Sequence, residues 1–591
     1  MNNNDSIKKY NLNVTMLCYL ILAVKKVDPQ MKIASYQIDK NGYSFDFDLS
    51  KSIDSDELGV IQSEMKSLLS INTIIEIVSV NNSEAKKILH SEPYQLELLE
   101  SFNGNIPIKI CKVNDMHFIC EIEFEPISDL SKFDKEGVKL LHVSGAYWKG
   151  DASRTMLQRI YGVAFESKSE LDEYIQNIED IKKRDHRTLG SQLHIFSTSD
   201  SVGQGLVLWE PKGAMIRFLL EKFSQTAHLL NDYDWVYTPH IGRAELWETS
   251  GHLNFYKDSM YNAINVDGED YYLKPMSCPF HILIYEQSPK SYRELPIRYA
   301  EFATVYRYEL SGALQGLTRV RGFTQDDAHI FCTPEQIYNE VVRALEFSLY
   351  ILKSFGLNDF KAYVSTKPTA KYIGNDEDWS SATEVLKNAV SECGLEYGID
   401  EGGGAFYGPK IDLKLYDSLG REWQCSTIQL DFNLPERFNM TYTGSDGNEH
   451  TPMMVHRALF GSVERFVAML IEHYNGDFPL WFSPIQLGII PVTERSSKYA
   501  GEIEDSLRSL GLRVKTDYNS SKMGAKIRQM TLEKIPYILI LGDKEETDKT
   551  ISVRERKQGN IGTFTLSEFM DLLKPELEKG IPKYIKTISK N

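Results

Sequence analysis

Residues 301–332, EFATVYRYELSGALQGLTRVRGFTQDDAHIFC, constrain this chain more than any other stretch. The pattern reads as strand, long loop, strand, and along it stand Arg307, Glu309, Arg319, Arg321, Gln325, Asp326, Asp327 and His329. So many polar groups beside strand residues are costly to bury unless they pair or face a ligand. Arginine suits phosphate there, because its planar fork stays charged and donates two hydrogen bonds. By composition alone, a solvated salt-bridge network is the competing reading.

A second run, HRALFGSVER at 456–465, sets small Gly461 and Ser462 before Arg465, which opens an apolar helix over 466–471. Small residues at a helix start let a ligand approach closely, and the helix N-terminus favours anions. Simple helix packing explains the same spacing.

With 591 residues the chain exceeds one core, and roughly 150 residues per domain predicts three or four. Hydrophobic residues at 42% and charged residues at 25% fit a globular protein and exclude a disordered or collagen-like one. The net charge of −17 argues against a polyanionic partner, yet residues 481–591 hold 19 Lys and Arg against 15 Asp and Glu. An anionic partner is therefore expected at the C-terminal part. Seven scattered cysteines without a C-x-x-C pair argue against a disulfide framework and for a reducing, cytoplasmic setting. The apolar stretch 14–24 is too short to cross a bilayer and runs directly into Lys25 and Lys26, so it reads as a buried helix with no membrane partner.

Residues 1–167 read as a compact α+β domain, with strands at 43–47 and 118–124. An amphipathic connecting helix follows over 168–187, carrying Leu171, Tyr174, Ile175, Ile178 and Ile181. Residues 188–480 are rich in aromatics and short strand signals. They include a helix at 213–231 with Ile216, Leu219, Leu220, Phe223 and Ala227 on one face. Residues 481–591 alternate strand (485–492), helix (496–510), strand (512–517), helix (522–535) and strand (537–541), which predicts a largely parallel sheet. No internal repeat or nucleotide P-loop is visible.

The two polar runs resemble motifs 2 and 3 of class II aminoacyl-tRNA synthetases, and Pro239 in WVYTPHIGRAELWETSGH resembles motif 1. GAYWKGDASRTMLQRIYGVAF, KPMSCPFH, RGFTQDDAHIF, GAFYGPKID, QCSTIQLDF and VHRALFGSVERF narrow this to the threonyl-tRNA synthetase family, in one order from residue 145 to the end and more faintly at the N-terminus. The resemblance implies a multidomain α+β and α/β protein with an antiparallel-sheet catalytic core and a C-terminal α/β anticodon-binding domain. It also implies a homodimer that joins L-threonine to tRNA(Thr) using ATP and Mg²⁺.

By the same resemblance, Cys278, His329 and His456 hold Zn²⁺ with one position left open, a set suited to binding substrate. Arg307 meets the α-phosphate and carboxylate, Glu309 the adenine amino group, Phe323 the adenine ring, and Arg465 with Arg319 the outer phosphates. Gln325, Asp327 and Tyr407 recognise the substrate amino group, with Met276 at the substrate as well. Gln429, Thr427, Lys410 and Ser462 surround adenylate and ribose, and His252 assists proton removal from the tRNA hydroxyl. Lys522, Lys526, Arg528, Glu545 and Arg554 fall where the family reads anticodon bases.

Departures are as specific. Val14 and Cys18 stand where the family's editing domain has an H-x-x-x-H pair, and Ser131 and Lys135 stand in place of its Cys and His. A degenerate editing domain is expected, kept for tRNA contact or folding, without the ubiquitin-like domain that precedes it in many members. Ser277 and Phe280 replace Asn and Gly of the usual KPMNCPGH, Gly403 replaces an acid, and Ser520 an Asn. Packing drift, escape from an inhibitor and stricter rejection of serine are the readings of the first three. A non-catalytic tRNA-binding or regulatory paralogue would typically lose motif arginines or zinc ligands, which are present here. A ligase for a carrier protein is disfavoured by the anticodon-like domain.

Overall fold

Helix Asn3–Val27 owes its place to apolar residues on every side: Leu17, Cys18, Leu20, Ile21 and Ala23 are all fully buried. It packs on helix Ser55–Leu68, whose start is fixed by an Asp54–Glu57 capping box, and on a four-stranded antiparallel sheet. The strand order is Lys32–Ile38, Tyr43–Asp48, Met156–Ala164, Val138–Tyr147. A second sheet joins Ile75–Val80, Ile108–Val113 and Met116–Ile119. Of the strand expected at 118–124, Phe118 and Ile119 pair within Met116–Ile119, and residues 121–124 lie outside the described residues. These elements belong to the first of two compact units, Met1–Asp180; the second is Ile181–Asn591. The computed structural model describes residues 3–38, 42–71, 73–102, 107–120, 125–127, 130, 133–151, 153–369, 372–416 and 421–585.

Val14 and Cys18 point into the core of the first unit. Cys18 Sγ lies 3.8 Å from Cys111 Sγ, and burial pushes its thiol well above the ordinary range. Lys135 donates to Ser70 Oγ, while Ser131 lies outside the described residues. Val14 carries no titratable group and Cys18 is buried in the core, whereas Lys135 is exposed.

The division between units falls within helix Lys168–Arg184, the segment expected as a connector. In the second unit the strands of the main sheet are, in chain order, β1 (Asp234–Trp235), β2 (Ile297–Tyr306), β3 (Gly322–Cys332), β4 (Phe360–Ser365), β5 (Tyr397–Asp400), β6 (Lys410–Tyr416), β7 (Glu422–Asp431) and β8 (Met453–Ala458). Across the sheet they run β1-β2-β3-β8-β7-β6-β4-β5. Only the outermost pairs, β1 with β2 and β4 with β5, are parallel. One face carries Ala300, Ala328, Ile330, Ile411, Leu413, Ile428, Leu430 and Val455 into the core shared with helices Pro211–Leu230, Ile337–Ser354 and Val463–Tyr474. On the first of these, Ile216, Leu220, Phe223 and Ala227 are buried, as the periodicity predicts.

A five-stranded sheet follows, in the order Val514–Thr516, Leu487–Pro491, Tyr537–Leu541, Ile551–Glu555, Gly559–Phe564. Its first three strands are parallel, but the last two add antiparallel, so the sheet is mixed rather than largely parallel. The missed hairpin is rich in charge and glycine, which weakens its strand signal.

Glu533 ties this sheet's surroundings to helix Pro211–Leu230, with Lys212 Nζ at 2.9 Å and Lys515 Nζ at 2.6 Å. Burial alone would raise the Glu533 carboxyl, but the two ammonium groups outweigh it and hold it down at about 2. A depressed acid stabilises fully above its unfolded range near 4.5 and loses that contribution as pH falls towards 2. Glu533→Gln should therefore cost about 1–2 kcal/mol at pH 7 in urea unfolding, with the deficit shrinking below pH 4.5. A deficit that does not change between pH 7 and pH 3 would contradict this.

Candidate active site

Pairing register, more than any single residue, builds the polar face of the main sheet. Tyr299, His329, His456, Gln429 and Lys410 stand directly opposite one another on β2, β3, β8, β7 and β6. Two residues along the same strands, Glu301, Asp327, Ala458, Thr427 and Asp412 form a parallel row. Side chains two apart share a face, so both rows project to the side opposite the helix-covered core.

His329 Nε2 lies 3.0 Å from His456 Nδ1, and the Cys278 Sγ, supplied by the start of helix Cys278–Tyr285, completes a cluster whose donor atoms are all within 4.8 Å of one another. All three residues are buried. Asp431 Oδ2 takes the other nitrogen of His456 at 2.8 Å, and His281 Nδ1 sits 2.8 Å from His329 Nδ1. A thiol and two imidazoles with outer nitrogens already engaged fit Zn²⁺, which prefers sulfur and nitrogen donors oriented from behind. Asp327 borders the cluster with Oδ1 3.8 Å from His329 Nε2, and its other oxygen accepts from Ser277 Oγ. Burial raises the Asp327 carboxyl.

Beside these donors a cavity of about 530 Å³ is lined by Arg307, Glu309, Arg319, Phe323, Gln325, Thr427, Ser462 and Arg465, among others. Its size is within the range of small-molecule sites. Arg307 lies over the Phe323 ring at 5.1 Å, and its Nε donates to Pro275 O. Arg319 Nε donates to Glu309 Oε2 at 2.9 Å. Ser462 caps helix Val463–Tyr474 by accepting from the Arg465 amide, and Arg465 Nε is buried with no hydrogen-bond partner among the described residues. Thr427 Oγ1 and Lys410 Nζ both reach Asp412, each at 2.7 Å, and the Tyr407 hydroxyl donates to Gln429 Oε1. His252 is buried with Nδ1 2.8 Å from Ser250 Oγ and Nε2 3.3 Å from Met276 Sδ. Burial, then the charge of Arg307, draw its imidazole down to about 4, so it is neutral at pH 7.

Residues 261–474 match the tRNA synthetase class II core domain (G, H, P, S and T), and residues 486–576 match the anticodon binding domain. A threonine–tRNA ligase of Borreliella afzelii (strain PKo) is 48% identical over 551 residues, 93% of this chain and 94% of that protein. The chain belongs to the threonine–tRNA ligase family. A second family member, from Borreliella burgdorferi (strain ZS7), is 47% identical with the same coverage. Among solved structures, the RNA binding domain of threonyl-tRNA synthetase from Cryptosporidium parvum Iowa II is 40% identical, with a TM-score of 0.65 over 68% of this chain and all of that one.

The departures from the family pattern have physical partners. Phe280 packs with Trp247 and Met260. A Cβ on Gly403 would lie 1.9 Å from Asp400 Oδ2, so Asp400 occupies the space an acid there would need. In the anticodon domain Lys522, Arg528, Arg554 and Ser520 are exposed. Lys526 instead is buried and donates to Asp517 O, and Glu545 caps its own helix through Gly542 N.

Asp431, His281 and Asp412 carry no sequence signal of their own, although each lies inside or at the end of a family string. Asp326 was singled out, but faces the other side of β3, where it accepts from the Leu459 and Phe460 amides. Burial pushes its carboxyl up to about 7. For the donor cluster, Cys278→Ala should lower Zn²⁺ affinity by at least roughly tenfold in chelator competition, while Cys332→Ala, buried elsewhere, should not. Equal retention of zinc by both variants would remove Cys278 from the donor set.

Proposed function

We propose that this chain activates L-threonine with ATP and transfers it to the 3′ end of tRNA(Thr), using Zn²⁺ on Cys278, His329 and His456 and without hydrolysing Ser-tRNA(Thr). The observation that carries the reading is one polar sheet face with three soft metal donors beside a nucleotide-sized cavity that holds Arg307 and Arg465.

Two displacements are required: the threonine carboxylate attacks the α-phosphorus and expels pyrophosphate, then a hydroxyl of the tRNA's terminal adenosine attacks the acyl carbon and expels AMP. Both depend on positioning and charge stabilisation more than on covalent help from the protein. Arg307 meets the α-phosphate. Arg465, with its unpartnered Nε, and Arg319 meet the outer phosphates, which arrive with Mg²⁺. Glu309, steadied by Arg319, reads the adenine amino group, and Phe323 offers its ring to the base. Asp327, Gln325 and Tyr407 receive the substrate ammonium, with Met276 beside them. Lys410, Thr427, Gln429 and Ser462 hold adenylate and ribose. Neutral His252 is able to accept the proton from the attacking hydroxyl.

Cys278, His329 and His456 would hold Zn²⁺, which would supply a Lewis-acid site for the polar groups of threonine, so valine, which lacks the hydroxyl, would leave a designed polar contact unmade. Serine differs only by a methyl, worth about 1–3 kcal/mol, and the buried Val14 and Cys18 provide no hydrolytic correction. Lys522, Arg528 and Arg554 supply exposed charge for the anticodon, and Glu545 a polar reader. Exposed Phe218, Leu229 and Tyr237 near the motif 1 stretch give a second copy apolar surface to cover, which supports a homodimer. Among the described residues no helix is long and apolar enough to cross a membrane and no cysteine forms a disulfide, which suits a cytoplasmic location.

Pyrophosphate exchange into ATP should depend on threonine, with valine below roughly one hundredth of its rate and serine intermediate. No threonine-dependent exchange would overturn the assignment. Purified protein should leave Ser-tRNA(Thr) to decay at its spontaneous rate; fast deacylation would overturn the loss of editing.

A further inference from the structure

One buried histidine outside the metal cluster joins the two ends of the nucleotide cavity. His186 opens helix His186–Gln192 and is 2% exposed. Glu472, itself buried near the end of helix Val463–Tyr474, accepts from the His186 amide at 3.0 Å and from its ring Nδ1 at 2.6 Å. Its second oxygen pairs with Arg421. A carboxylate at Nδ1 assigns the proton to that nitrogen and leaves a lone pair on Nε2. That lone pair accepts the backbone N–H of Leu317 at 3.1 Å.

Leu317 is the buried tip of a turn in which Gln315 and Arg319 exchange backbone hydrogen bonds. Gln315, Thr318 and Arg319 flank that tip and line the cavity, and Arg319 in turn holds Glu309. The neighbouring Gly316 has φ +48°, and a Cβ on it would stand 2.2 Å from His186 Nε2. The turn is therefore seated directly on the imidazole. Helix Val463–Tyr474 carries Arg465 in its first turn and Glu472 in its last, so one rigid element connects the phosphate end of the cavity to the histidine. The Asp185, His186 and Glu472 donors also lie within 4.8 Å of one another. They do not form a second metal site, because both ring nitrogens of His186 are engaged and Asp185 caps Arg187.

We propose that His186, oriented by Glu472, is a positioning residue for ATP: it fixes the 315–319 turn so that Glu309 and Arg319 meet the nucleotide. This rests on reading the cavity as the ATP site. Two substitutions separate the contacts, since an Asn amide reaches the place of Nδ1 and a Gln amide that of Nε2. ATP affinity is read by titration calorimetry with Mg²⁺ and no amino acid, and the KM values of ATP and threonine by pyrophosphate exchange.

His186→Asn, which strands the Leu317 amide, should weaken ATP roughly five- to fiftyfold, the range that one unpaired buried amide allows. His186→Gln should stay within about twofold of wild type, and both should leave the threonine KM within about twofold. Equal weakening by both variants, the reverse ranking, or a parallel rise in the threonine KM would overturn the proposal. Should His186→Asn not fold, Gly316→Ala breaks the same contact from the turn side: weakened ATP binding supports the proposal and wild-type affinity overturns it. Wild-type protein that binds ATP yet shows no threonine-dependent exchange would count against the proposed activity and leave this proposal standing.

Discussion

The catalytic unit depends on the antiparallel register that sets His329 opposite His456, and both in line with Tyr299, Gln429 and Lys410. A slip of one residue in either β3 or β8 would turn an imidazole into the helix-covered core and bring a core residue to the polar face. The hydrophobic row formed by Ala328, Ile330, Val455 and Ile428 prevents that slip, because its burial pays for only one alignment. Packing on one face thus fixes chemistry on the other. The carboxylate of Asp431 then selects which nitrogen of His456 faces His329, a detail that the sheet alone does not determine.

Elements with a strong period were legible in the sequence. The helix over 213–231 shows because its apolar stripe follows 3.6 residues per turn, and Pro211–Leu230 is what the structure contains. The hairpin over 551–564 did not show, because Arg554, Glu555 and two glycines interrupt its alternation. Within the site, spacings of 51 and 127 residues between Cys278, His329 and His456 carry no metal signal; only the surrounding strings identified them. Asp326 and Asp327 are adjacent in sequence, yet strand geometry sends one to the turn before helix Val463–Tyr474 and the other to the cluster of Cys278, His329 and His456. His186 is farther still from legibility, since its partner Glu472 is 286 residues away.

Burial acts on different groups in the two units. In the first, Val14 and Cys18 lie in the core, where burial pushes the Cys18 thiol well above its ordinary range. In the second, buried Lys274, Glu301, His281 and Asp327 cluster at real desolvation cost, partly offset by the Lys274–Glu301 and His281–Glu301 contacts.

X-ray absorption at the zinc edge of the purified, metal-loaded protein tests the central claim most directly. The account predicts a first shell of one sulfur at about 2.3 Å and two imidazole nitrogens at about 2.0–2.1 Å, completed by light donors that change when threonine is added. A shell with no sulfur, with two or more sulfurs, or one indifferent to threonine would contradict it.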